Sequence, residues 1–356
     1  MPGDRRRLVG VDVARGLALL GMMSVHIVDR TDPDGSLSTA YAISSGRASA
    51  LFAVLAGVGL ALARAGGPAV LARGGVVAAV GLTLGVIPTP VAIILVHYGL
   101  LFCSATPFLR LSSRALAVTG GAWLVVSPVV AHLLRTQVPA GPGANPSWLS
   151  LGDPAQLALD LALTGYYPVL QWTGYVLVGL AVGKATLGRA ETALLLAAVG
   201  AGLAGAAKVV SAVLLGPLGG GAHVVTTMPF YGTTPTDSWW WLAVSEPHSG
   251  TPLDLLHTTG TALLVLGGCL LLASTGSRAL GYVLVPLAAA GSMTLSLYSV
   301  HVVALGLGLD VLVLHVVLAL AAATAWRATG MRGPLEGLAA SAARATRGRT
   351  EVSRTG

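Results

Sequence analysis

One apolar stretch, Asp12-Val-Ala-Arg15-Gly-Leu-Ala-Leu-Leu-Gly-Met-Met-Ser-Val-His26, carries a carboxylate, a guanidinium and an imidazole. A helix advances about 100° and 1.5 Å per residue, which puts Arg15 and His26 within roughly 60° of Asp12 on one face. Along the axis His26 lies about 21 Å from Asp12, most of a bilayer core away. The chemistry on offer is an ion pair near one surface and an ionisable ring near the other. An imidazole with its ordinary pKa of about 6.5 can take a proton from an attacking hydroxyl or amine at neutral pH. The structural alternative is a packing Asp–Arg pair and a hydrogen-bonded core histidine. Ionisable groups at membrane depth are costly, which favours the functional reading.

Three further constellations hold reactive side chains. The loop Ser245-Glu246-Pro247-His248-Ser249-Gly250-Thr251 leads to His257, so Glu246 with His248 or His257 can supply a base and its orienting partner. The same residues also read as a capped turn, with Thr251 or Asp254 as N-cap and Pro252 early in the helix. Thr294, Tyr298 and His301 fall at i, i+4 and i+7 on one helix face, either a reactive face or a seam of inter-helix hydrogen bonds. Tyr166-Tyr167-Pro168-Val-Leu-Gln171-Trp172 is an aromatic cluster that can stack on a substrate or anchor at a membrane interface. His97-Tyr98 is a signal of similar strength. No His-Glu-x-x-His, phosphate loop or Gly-x-Ser-x-Gly elbow is present, and no metal is expected. Cys103 and Cys269 read as packing residues, while His132 and His223 read as loop residues facing water.

The elements that must hold these groups are membrane helices. Of 356 residues 54% are hydrophobic and only 10% charged, against about 25% charged in a soluble domain. The expectation is an all-α, polytopic helical bundle of about ten spans. They cover residues 8–28, 48–63, 76–87, 91–109, 115–134, 157–183 (interrupted at Pro168), 190–215, 255–273, 279–307 and 311–327. Within 279–307 a surface piece to Ala290 precedes a helix from Gly291. Residues 1–327 read as one transmembrane domain and 328–356 as a basic, partly disordered cytoplasmic tail. Arg5, Arg6 and Arg7 ahead of an apolar run resemble a leader peptide. The cleavage-like Ala40-Tyr41-Ala42 lies far beyond that run, so the first helix is read as retained.

The net charge of +7 reads as an orientation signal rather than a nucleic-acid footprint. With ten spans, the N-terminal side collects Arg5, Arg6, Arg7, Arg64, Arg73, Arg110, Arg114, Lys184, Arg189, Arg278, Arg327, Arg332, Arg344, Arg347, Arg349 and Arg354. The opposite side holds Arg30, Arg47 and Arg135. Both termini are therefore expected in the cytoplasm of a multi-pass plasma-membrane protein. On that topology the eight histidines and most acids gather toward the outer face, where titratable chemistry is concentrated.

At Asp12-x-x-Arg15-Gly-Leu-Ala-Leu…His26 the sequence resembles the transmembrane acyl transferase superfamily, whose best-known member is heparan-α-glucosaminide N-acetyltransferase. The likeness continues at Gly46-Arg47-Ala-Ser-Ala-Leu-Phe-Ala-Val-Leu-Ala-Gly57 and Tyr167-Pro168…Trp172…Tyr175. It also extends to Gly291-Ser-Met-Thr-Leu-Ser-Leu-Tyr298-Ser-Val-His301 and Arg332-Gly-Pro-Leu-Glu336, as in an uncharacterised bacterial branch. The resemblance implies an acetyl- or acyl-coenzyme A donor held from the cytoplasmic side and an acceptor on the far side. The heparan enzyme has an Asn where this chain has His26, and the His of its following loop has no counterpart between Ile27 and Gly46. More distant acyltransferases with an Arg and a His in the first helix look closer here.

Two function classes follow. In an acyltransferase His26 is the base, steadied by His257 or His301, with His248 beside Glu246 as the competing base. Tyr298 or His301 steadies the thioester oxygen. Asp12, Arg15 and Arg64 hold the coenzyme phosphates, because Arg suits phosphate. Arg47, His97, Tyr167, Gln171 and Trp172 then contact a small-molecule or glycan acceptor, a sugar or envelope component. In a transporter or permease for a small polar solute the same polar seam carries no covalent chemistry, but neither an internal repeat nor a charge relay across the bilayer is visible. The expected partners are the lipid bilayer and a second copy in a homodimer, and no nucleic acid.

Overall fold

The computed structural model describes residues 8–139, 141, 143–225 and 229–355, with side chains through residue 346. Arg5, Arg6 and Arg7 of the charge count lie outside the described residues, as do the side chains of Arg347, Arg349 and Arg354. The described chain is helical, and its only bridge joins Thr31 and Leu37. In order the helices are α1 Val9–Ile27, α2 Thr39–Ser44, α3 Arg47–Ala63, α4 Gly67–Leu84, α5 Leu95–Ala105, α6 Ser113–Arg135 and α7 Pro154–Leu159. They continue with α8 Val169–Gly183, α9 Ala190–Leu215, α10 Pro252–Ser274, α11 Arg278–Gly291, α12 Thr294–Gly306, α13 Leu312–Ala328 and α14 Pro334–Thr355.

Six of the described helical segments are long and apolar enough to cross a membrane, and seven if the bent pair α11–α12 is one span. The expected count of ten is reached only if three shorter apolar helices, Leu95–Phe108, Val169–Gly183 and Leu312–Ala328, also cross. Even a 17-residue helix is only about 26 Å long, against a hydrocarbon core of about 30 Å.

Local chemistry sets most boundaries. Thr251 caps α10 by accepting from the Asp254 backbone N–H (3.1 Å), and Ser112 caps α6 by accepting from that of Ala115 (3.2 Å). Gly66 and Pro68 open α4 about nine residues before its apolar run suggests, which gives it 18 residues. The segment expected as one helix over 91–109 starts late. Asn145 accepts from Ile93 N–H and donates to the Val91 carbonyl, holding residues 91–93 out of helix. The expected break at Pro168 is present: a π-turn over Asp160–Thr164 ends one piece and α8 starts just after the proline.

Close helix contacts build the core. α3 packs on α8, α9 on α10, and α1 lies against α3, α10 and α11. At α3–α8, Gly57 faces Val176 O and Gly179 faces Val54 O so closely that a methyl group on either would collide with backbone. The piece expected on the surface, α11, is instead buried at its C-terminal end: Leu287, Ala288, Ala289 and Ala290 sit in the core. Its small residues let it lie against Gly16 and Asp12 of α1. α12 then leaves at 79° to α11. Within the tail α14 covers Pro334–Thr355 and packs on α4. Glu336 accepts from Leu295 N–H (2.7 Å), Ser296 N–H (3.1 Å) and the Ser296 hydroxyl (2.6 Å), so the tail supplies the cap of α12.

Candidate functional site

Gly21 of α1 abuts Ala48 at the start of α3, and Arg15 abuts Gly59 near its end, so the two helices are antiparallel. This defines two ends of the bundle. The His26 end holds a chamber of about 1140 Å³ lined by His26, His97, Arg135, Asp160, Tyr166, Tyr167 and His248, among others. The Asp12 end carries a groove of about 1230 Å³ where α3, α4, α5 and α8 meet, with Arg64, Arg110 and Lys184 in its walls. Among the described residues two non-glycines adopt positive φ, Arg64 (47°) and His248 (59°), and each lines one of these two cavities. Such backbone is uncommon outside glycine and clusters at functional sites.

At the chamber, His26 Nδ1 is 3.1 Å from His301 Nε2, and the rings stack with centroids 5.3 Å apart. His301 Nδ1 is 2.8 Å from His315 Nδ1, and His315 Nε2 is 2.9 Å from the Leu309 carbonyl. The pairing of His26 with His301 matches one of the two expected partners. The other, His257, is committed elsewhere. Its Nδ1 lies 3.1 Å from Ala204 O, and its Nε2 receives the Arg47 Nε–H at 3.2 Å. With both nitrogens engaged, His257 orients Arg47, whose other end donates to the Ala42 carbonyl. His301, with both nitrogens engaged too, has no donor left for a thioester oxygen. Tyr298 is buried edge-on to His26, ring centroids 6.3 Å apart.

The 245–251 loop brings His248, but not Glu246, to the chamber. Glu246 is exposed, and its carboxylate makes no hydrogen bond to His248. The His248 ring lies against Tyr166 (4.7 Å) and Tyr167 (5.9 Å), and its carbonyl accepts from Gly232 N–H at 2.8 Å. Burial pushes His248 down to about 4, so it is neutral at physiological pH. Lys208, deep in α9, reaches the loop by donating to Ser245 O at 2.8 Å.

His97 and Tyr167 reach the chamber, whereas Gln171, Trp172 and Arg47 do not line it. His97 is buried with neither ring nitrogen hydrogen-bonded among the described residues, and it stands edge-on to Tyr167 at 5.6 Å. Trp172 is wedged between Tyr167 (4.9 Å) and Tyr175 (5.1 Å), a packing position. Gln171 Nε2 donates to Gly250 O at a long 3.4 Å. His132, expected in a water-facing loop, is buried in α6 against Trp239. His223 stacks on Trp240.

At the other end Arg15 donates to Asp12 Oδ1 at 3.2 Å, the expected pair one turn apart. Neither residue lines the groove, but Arg64 does. The guanidiniums of Arg64 and Arg110 make no hydrogen bond among the described residues, whereas Lys184 donates to the carbonyls of Leu109 (2.9 Å) and Leu111 (2.5 Å). The amide end of α4 at Gly66–Gly67 adjoins these cations. Two uncommitted guanidiniums and a helix N-terminus in one groove suit phosphate groups.

Sequence reasoning named His26, His97, Tyr167, His248, His301 and Arg64, and missed Arg110, Arg135, Asp160 and His315 as site residues. Arg110 was visible only as an orientation charge. His315 lies one helix beyond His301 and gave no spacing signal, because only the fold brings the two together.

The family model described as "Heparan-alpha-glucosaminide N-acetyltransferase, catalytic" matches residues 7–211, a stretch holding His26, Arg64, His97 and Tyr167. No curated protein and no solved structure matches the chain.

Proposed function

Since this chain belongs to the heparan-alpha-glucosaminide N-acetyltransferase catalytic family, we propose that it moves an acetyl or related acyl group from coenzyme A, bound at the Asp12 end, to an acceptor in the His26 chamber. The acceptor is a hydroxyl or amine of a sugar or cell-envelope glycan. The observation that carries this reading is His26, which lines the chamber with its Nδ1 held by His301 and, among the described residues, no partner on Nε2.

The thioester supplies an activated acyl carbon and a thiolate leaving group. His26 Nε2 takes the proton of the acceptor as that group bonds to the acyl carbon, and returns it to the sulfur when the carbon–sulfur bond breaks. His301 holds the ring in place. Tyr166 in the chamber wall, and His97, with its nitrogens uncommitted, offer contacts to a polar acceptor. Arg64 and Arg110 hold the coenzyme phosphates, whereas Arg15, neutralised by Asp12, braces α1 against α3.

The loop charges support placing the Asp12 end in the cytoplasm of a plasma-membrane protein. Arg15 and His26 are about 17 Å apart along α1, so a donor from one side must reach toward an acceptor from the other. A permease is the second reading, favoured by the 79° break between α11 and α12, because broken helices line many solute sites.

The test is calorimetric binding of acetyl-coenzyme A to detergent-solubilised protein, with wild type beside R64A/R110A. Binding that the double variant weakens at least about tenfold, a loss of about 1.4 kcal/mol, supports the reading. Solute uptake into vesicles by a protein that does not bind the coenzyme would replace it with the permease.

A further inference from the structure

The chain of histidines behind His26 has a direction. A backbone carbonyl can only accept a hydrogen bond. Leu309 O therefore requires the proton of His315 on Nε2, which leaves His315 Nδ1 as an acceptor. His301 must then donate from Nδ1 to His315, and its Nε2 becomes an acceptor in turn. His26 must donate from Nδ1 to His301, and its Nε2 is left bare. In the neutral state one carbonyl fixes the tautomer of three rings. The nitrogen left with a free lone pair belongs to the one ring of the three that lines the chamber.

We propose that Leu309 and His315 are remote positioning groups that set the tautomer of His26, with His301 as the intermediate link, so that His26 Nε2 meets the acceptor as a base. The purpose of the device rests on the reading of His26 as the base, but the tautomer itself does not. In a serine-protease triad a carboxylate beside the histidine does this work, and the wrong tautomer there costs about 10⁴ in turnover. Here the anchor is neutral and lies two rings away, on the loop between α12 and α13. When His26 takes the acceptor proton, its Nδ1 proton can shift to His301 Nε2, and that of His301 Nδ1 to His315 Nδ1. The positive charge then moves away from the chamber toward the exposed edge at Leu309. The shifts reverse as His26 returns a proton to the thiolate, so no proton is gained or lost.

The nitrogens face one another in sequence rather than one common point. This is the geometry of a relay and not of a metal site.

The polarity of the chain can be inverted at its far end, which supplies the test. In H315Q the amide oxygen can accept from His301 Nδ1–H, so the direction is kept. In H315K the ammonium can only donate. His301 would then accept on Nδ1 and donate from Nε2, and His26 would be forced to carry its proton on Nε2. Nitrogen-15 histidine spectra of the full chain in detergent, with the His26 signals assigned by their loss in H26N, read the tautomer without any assay of activity. The expected result is an unprotonated Nε2 in wild type and H315Q and a protonated Nε2 in H315K. Acyl transfer should fall about 10²-fold or more in H315K and by less in H315Q, whose amide keeps the tautomer but cannot take up the relayed proton. A protonated His26 Nε2 in the wild type would overturn the proposal, as would an unchanged tautomer in a folded H315K. If the tautomers behave as stated while no acyl transfer is found, the tautomer assignment stands and the acyltransferase reading fails.

Discussion

His26 and His248 are the two chamber imidazoles with the clearest consequences. Replacing His26 by Ala or Asn should lower acyl transfer by about 10²–10⁴ while coenzyme binding, measured calorimetrically, stays within about twofold. If H248A loses transfer selectively while H26A does not, the base lies in the loop instead. His248 also predicts an acid-side loss of stability. Its pKa is depressed by burial from the ordinary 6.5 to about 4. Above pH 6.5 the ring is neutral folded or unfolded. Between 6.5 and about 4 the unfolded chain binds a proton that the folded chain refuses, so stability falls with pH across that window and levels off below it. H248Q should flatten the thermal midpoint against pH between 6.5 and 4, and an unchanged slope would remove His248 as the cause. His26 was legible in the sequence because an ionisable group in an apolar run is itself a signal. The roles of His257 and Glu246 were not, because proximity in sequence does not say which nitrogen is already taken or which carboxylate turns to water.

The helices themselves were largely legible. Apolar runs give α1 and α9 almost to the residue, and the capped turn at Thr251 starts α10. What failed was length and depth: Asn145 shortens α5 from 54 residues downstream, and the small residues of α11 bury what reads as a surface piece. Both outcomes depend on partners that periodicity does not see. The contact of α3 with α8 makes a sharp prediction. Gly179→Ala drives a methyl group into the Val54 carbonyl, and backbone cannot yield as a flexible side chain can. Thermal unfolding in detergent should show a loss of about 1–3 kcal/mol or more. Gly121→Ala, where nothing lies within 4 Å, should be neutral or slightly stabilising. Equal effects at the two positions would contradict the close packing.

For the whole molecule, the two-ended arrangement was foreshadowed by Asp12 and His26 on one helix, but the cavities at each end were not. They are assembled from loops and helix ends far apart in sequence. Arg64 and His248, both at positive φ, mark the two cavities, and no sequence pattern announces that backbone at a non-glycine. The asymmetry of loop charge predicts which cavity faces which compartment. Reporters fused after Gly143 and after Gly232 should read as external, and one fused after Arg349 as internal. An external C-terminal reporter would reverse the assignment of donor and acceptor sides.

The carboxylate of Glu336 gives the break between α11 and α12 a meaning of its own. A helix N-terminus exposed at such a break attracts anions, and in transporters that attraction is spent on the solute. Here an anion attached to the same chain already occupies it through three hydrogen bonds. The packing of α14 on α4 holds that group in place, so a dilute solute anion must displace a ligand the fold has already positioned. The break is thus self-inhibited as a binding site, which weighs against the permease. E336A should lose about 1–2 kcal/mol of stability with the cap. Added acetate or formate, free versions of the missing group, should restore part of it in the variant and none in the wild type. Indifference of E336A to both anions would mean that the helix end is not a latent site.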